Sequence, residues 1–159
     1  MLRKSAIPVL TSRVSAAPLD TSYDEILLPV DGSSQSRRAA DHAFDIAARY
    51  DARVHTLSII DESHVTSQPL LAALETESAA ALDAAERRGT EAGVETRTSV
   101  WKGTPDRCIR EYAGKHDVDL IAIGAHGRRG LDRFLTERVA ERVVRTADPT
   151  VLTLPAPRE

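Results

Sequence analysis

Leu120-Ile121-Ala122-Ile123-Gly124-Ala125-His126-Gly127-Arg128-Arg129-Gly130 is the stretch from which the fold is read. A short unbroken apolar run that gives way to glycines describes a buried parallel strand feeding a loop. Beyond the loop, Val139, Val143 and Val144 recur at helical spacing, so the loop leads toward a helix N-terminus. Strand, glycine loop and helix form the arrangement that binds phosphate through backbone N–H groups and the helix dipole. Glycines let such a backbone turn left-handed or approach a ligand closely. A tight turn needing positive φ would use the same residues, and the loop alone leaves both readings open. It is neither a Walker A loop, since no Gly-Lys-Ser/Thr follows, nor the dinucleotide fingerprint G-x-G-x-x-G.

The same alternation of strand and helix runs through the chain from residue 25. Ile26-Leu27-Leu28-Pro29-Val30 is an apolar run of strand length closed by Asp31-Gly32, with Ser33 or Ser34 placed to cap the next helix. Ala39, Ala43, Ala47 and Tyr50 share one face of that helix, and residues 54–60 form a second strand. Residues 70–92 read as a long helix with Leu74, Ala81 and Ala85 inward and Gly93 as its stop. Val94, Thr96, Thr98 and Val100 alternate with Glu95, Arg97, Ser99 and Trp101, which predicts a strand with one wet face at a sheet edge. Thr104-Pro105 opens a third helix carrying Cys108, Ile109 and Tyr112. Residues 118–123 make the fourth strand, 137–145 a fourth helix, and 149–155 a fifth strand with prolines only at its ends.

Five strands alternating with four helices predict a single doubly wound α/β domain, a five-stranded parallel sheet with helices on both faces. Ligands of such sheets bind beyond the carboxyl ends of the strands. Asp31 and the loop 124–130 belong to that edge, and they converge if the first and fourth strands are neighbours.

A chain of 159 residues supports one well-buried core, and its 42% hydrophobic and 28% charged residues are those of a soluble globular protein. A net charge of −3 offers no general attraction to nucleic acid or an anionic membrane. No apolar stretch approaches the length of a membrane span. Cys108 is the only cysteine, so no internal disulfide forms. Residues 1–22 carry a short apolar run, residues 6–10, broken by Pro8, which makes a poor secretory signal. They read as a flexible tail, residues 156–159 as a second one, and the chain as cytoplasmic. His42, His55, His64 and His116 show no metal-ligand spacing, and no nucleophile–base pair stands out, so an enzyme is not expected.

Three segments carry a resemblance: Tyr23-Asp-Glu-Ile-Leu-Leu-Pro-Val-Asp-Gly-Ser33, Asp119-Leu-Ile-Ala-Ile-Gly-Ala-His-Gly-Arg-Arg-Gly-Leu131 and Val139-Ala-Glu-Arg-Val-Val-Arg145. In this order and spacing they resemble the universal stress protein family across residues 23–155. The resemblance implies strand order 3-2-1-4-5 and a homodimer through the fifth strands, here residues 149–154. It also implies a nucleotide, ATP with Mg²⁺, bound through G-x2-G-x9-G-[ST], with Asp31 on the adenosine part and Ile59 at the adenine pocket. The candidate nucleotide-binding residues are Pro29, Asp31, Ile59, Gly124, His126, Gly127, Gly130 and Arg138.

The chain departs from that motif in its second half. Gly124 and Gly127 match, but Glu137 and Arg138 stand where glycine and serine or threonine are expected. A glutamate adds a Cβ and a negative charge near a polyanion. Arg128, Arg129, Arg133 and Arg138 act in the opposite sense, since guanidinium groups bind phosphate bidentately. They also fit a solvated surface paired with Asp132, Glu137 and Glu141. The expectation is a stress-response interaction or sensing module that binds ATP weakly or not at all. The alternative is a competent nucleotide binder in which arginines replace the lost contacts. A response-regulator receiver is excluded, because Trp101-Lys102-Gly103 and Leu154-Pro155-Ala156 supply neither its phosphoacceptor aspartate nor its lysine.

Overall fold

Residues 7–12, 22–125 and 134–154 are described by a computed structural model of the chain. Strands β1 (Val9–Thr11), β2 (Glu25–Pro29), β3 (Arg53–Ile60), β4 (Thr96–Lys102), β5 (Leu120–Gly124) and β6 (Thr150–Leu154) form one sheet in the order β1-β6-β5-β2-β3-β4. All pairs are parallel except β1 with β6. Without β1, the order β4-β3-β2-β5-β6 is the expected 3-2-1-4-5, and β4 takes the expected edge. The sheet has six strands rather than five. Val9–Thr11, which the sequence reading left in a flexible tail, add antiparallel to β6. Pro8 and a length of three residues hid that strand from pattern reading.

Four helices cover the sheet: α1 (Ser34–Tyr50), α2 (Gln68–Ala92), α3 (Pro105–Lys115) and α4 (Glu137–Thr146), with a 3-10 turn over Glu62–His64. One core layer joins Ile26 and Leu28 to Ala39, Ala43 and Phe44 of α1 and to Leu82 and Ala85 of α2. The other joins Leu27, Leu57, Ile121 and Ile123 to Ile109 and Tyr112 of α3 and Val143 of α4. Alternate strand residues therefore feed opposite layers, which is why these runs are apolar throughout. On α2 the buried residues are Ser78, Leu82, Ala85 and Gly89, whereas Leu74 and Ala81 of the expected inward face are only half-buried. On β4, Thr96, Ser99 and Trp101 are half-buried and Val100 is exposed, so the wet face includes a valine that alternation alone placed inside.

The amino ends of the strands are clamped by polar groups. Asp119 Oδ2 accepts from the N–H groups of Asp24 and Glu25, both at 2.8 Å. Glu25 in turn meets Arg53 at 3.2 Å and the buried His55, whose Nδ1 lies 2.8 Å from the Tyr112 hydroxyl. His116 stacks on Tyr112, with ring centroids 4.1 Å apart, and sits beside His55. Burial there, with His55 and Lys115 adding to it, pushes the His116 pKa down.

Candidate nucleotide-type crevice

The carboxyl end of the sheet is open where β2 and β5 part. Their ladder covers only Ile26↔Leu120 and Leu27↔Ile121, although both strands continue. Pro29 supplies the reason. Backbone N–H groups alternate sides along a strand, and Val30 donates toward β3, to Leu57 O at 2.9 Å. Position 29 therefore faces β5, and a proline there has no N–H to give. Pro29, a candidate ligand contact, therefore also helps to open the crevice.

Two strand-to-helix turns border this opening. In the first, Asp31 leads through Gly32, at φ +76°, into α1. Ser33 caps the helix by accepting from Ser36 N–H at 3.1 Å, and Asp31 N–H donates to Ser36 Oγ at 3.2 Å. The Asp31 carboxylate accepts from Ser33 N–H at 2.9 Å through Oδ1 and from Leu135 N–H at 3.1 Å through Oδ2. The second bond joins the β2 end to the chain entering α4. It also commits both carboxylate oxygens to backbone donors.

The second turn begins at Gly124. An added Cβ there would fall 2.3 Å from Gln35 O and 2.8 Å from Ser36 N. Gly124 is required by the close approach of the α1 backbone and not by a left-handed turn. Ala125 N–H is taken by Leu154 O at 3.0 Å. His126, Gly127, Gly130, Arg128, Arg129 and Arg133 lie outside the described residues. The chain resumes with buried Leu135 and with Thr136, whose Oγ1 caps α4 by accepting from Val139 N–H at 3.3 Å. Glu137 and Arg138 follow in the first turn of α4, both exposed.

Ile59 is packed in the α3–α4 core layer. A groove of about 700 Å³ runs instead between α1 and α2, past Asp31, Gly32, Ser36, Ala81 and Arg88. Lys102 at the carboxyl end of β4 is held by Glu62 at 3.3 Å and Glu75 at 3.6 Å. These partners, the hydrogen bond to Glu62 foremost, raise its pKa. Among the described residues no group of three or more His, Cys, Asp or Glu could hold a metal ion. Among the described candidate residues, Asp31 and Gly124 are both engaged within the fold. The roles of Ser36 and Leu135 were not legible beforehand. Ser33-x-x-Ser36 is a cap pattern, but nothing in sequence signals a backbone donor 104 residues away.

An open α/β sheet with a crevice between two strand-to-helix turns defines the class, a doubly wound α/β fold. The universal stress protein family model matches residues 22–155, and the chain belongs to that family. A universal stress protein of Methanocaldococcus jannaschii is 35% identical over 144 residues, spanning 86% of this chain and 85% of its own. The solved structure of the universal stress protein UspA from Lactobacillus plantarum is similar at TM-score 0.70 and 30% identity, covering 84% of this chain and 99% of its own. A universal stress protein solved in complex with cAMP is similar at TM-score 0.63 and 26% identity, covering 84% and 97% respectively.

Proposed function

We propose that this chain is a non-catalytic stress-response module, sensing or interacting, whose crevice takes adenine nucleotide weakly because its triphosphate end is degenerate. One observation carries the reading. Thr136-Glu137-Arg138 open α4 as an ordinary capped helix start, with an acid in the first turn. The glutamate offsets the positive end of the helix dipole that would otherwise draw phosphate. It also stands where the family motif has glycine, adding a Cβ and a negative charge, and Arg138 replaces the hydroxyl donor of serine or threonine. A charge-assisted hydrogen bond contributes ~1.5–3 kcal/mol, so the lost hydroxyl alone moves affinity by about one to two decades. The likeness to a relative solved with cAMP supports retention of a nucleotide-sized opening. Calorimetric titration of the purified chain with ATP and Mg²⁺ tests the reading. A Kd weaker than ~100 µM is expected, and low-micromolar binding would mean that arginines have taken over the phosphates.

A further inference from the structure

Val9-Leu10-Thr11 and Val151-Leu152-Thr153 are the same three residues, and the fold pairs them with each other. β1 lies antiparallel along the outer edge of β6, with Val9 opposite Thr153, Leu10 opposite Leu152 and Thr11 opposite Val151. This is the pairing that β6 would make with a two-fold-related β6, Leu152 facing its own counterpart and Val151 facing Thr153. We propose that β1 is a self-supplied substitute for a second copy of β6, and that it holds closed an edge which otherwise accepts another copy of this chain.

The edge of β6 beyond β5 would carry a row of unpaired N–H and C=O groups, and such edges recruit strands. Pairing about Leu152 is self-complementary, so it closes as a two-fold dimer. β1 contributes three residues to a strand of five. A second copy in the same register pairs all five, Thr150 meeting Leu154 at each end. The hold of β1 rests on the ladder more than on burial, since Leu10 is 57% and Ile7 69% exposed while Leu152 is 9%. The advantage of β1 is its place on the same chain, where a short connection gives an effective concentration on the order of millimolar. At micromolar protein β1 therefore keeps the edge, and its release hands the edge to a second copy. This refines the dimer expected through residues 149–154, making it conditional on β1. It does not depend on the nucleotide reading.

Light scattering on the full chain tests the proposal. Successive residues direct their N–H groups to opposite sides, so V9P together with L10P removes at least one donor that faces β6 and fixes φ at two of the three positions of β1. The native chain should run at its monomer mass of 17.3 kDa, and the V9P/L10P chain at twice that, both at ~10 µM. A native dimer at that concentration, or a variant that stays monomeric to ~200 µM, overturns the proposal. The pair L10C and L152C provides a check that does not require release of the strand. On oxidation it should form a disulfide within one chain and stay monomeric. A crosslink only between chains, or none, contradicts the placement of β1.

Discussion

The two strand-to-helix turns at the carboxyl edge do different work with related residues. The β2–α1 turn is closed on itself: Gly32 supplies the positive φ, Ser33 the cap, and Asp31 ties the turn across to Leu135. No acid stands in the first turn of α1. The β5–α4 turn starts with a glycine used for packing against α1 and ends on a helix whose first turn carries Glu137. The residues of the first turn are held by the fold itself; on the proposed reading, Glu137 and Arg138 of the second stand where a ligand, not the fold, would require glycine and serine.

Substitutions separate these roles. Gly124→Ala should give the largest effect, because the new methyl meets backbone atoms of α1 at 2.3–2.8 Å that no side-chain rotation relieves. A loss of ~3 kcal/mol or more is expected in chemical denaturation. A near-neutral outcome would mean that α1 can slide away from β5. Asp31→Ala leaves the Ser33 and Leu135 N–H groups without their acceptor and should cost ~2 kcal/mol, whether or not nucleotide is present. If its stability is unchanged and only ligand binding suffers, the carboxylate belongs to a ligand. Gly32→Ala places a Cβ at φ +76° in ordinary contact with Ala81 at 3.9 Å, so only backbone strain remains, ~1–2 kcal/mol.

The legible part of this molecule was the part with period. Unbroken apolar runs, caps and glycine stops located five strands and four helices, and the crevice followed from their order. β1 escaped because three residues beside a proline carry no periodic signal, and its pairing partner lies 142 positions away, as Leu10↔Leu152 shows. The candidate site was legible as a location but not as a set of contacts. Pro29, Asp31 and Gly124 were named for a ligand, and the structure gives each a role within the protein. Ile59 faces the opposite core layer from the groove at Asp31. A residue type at a strand end says what it can bind, and only the neighbouring backbone says whether it is already engaged.

The amino end of the sheet gives the smallest expected effect and a control remote from both turns. The His116 pKa is lowered in the fold, chiefly by burial, from an ordinary value of 6.5. The unfolded chain therefore takes up the proton first as pH falls through about 6.5, and this residue subtracts stability there while contributing nothing above it. H116N should flatten the fall in Tm between pH ~7.5 and ~5.5, with no change in nucleotide affinity. An unchanged slope would assign the whole pH dependence to other groups.

The degeneracy of the second turn is tested most directly by restoring it. Calorimetry with ATP and Mg²⁺ on the native chain, on E137G/R138S and on R138S alone compares the two accounts of α4. Returning glycine and serine to the first turn removes a negative charge and a Cβ and supplies one hydroxyl donor. The double variant should bind at least ~10-fold more tightly than the native chain, with E137G supplying the larger share. Weaker binding by the double variant, together with weaker binding by R138S alone, would contradict this account and make Arg138 the phosphate ligand.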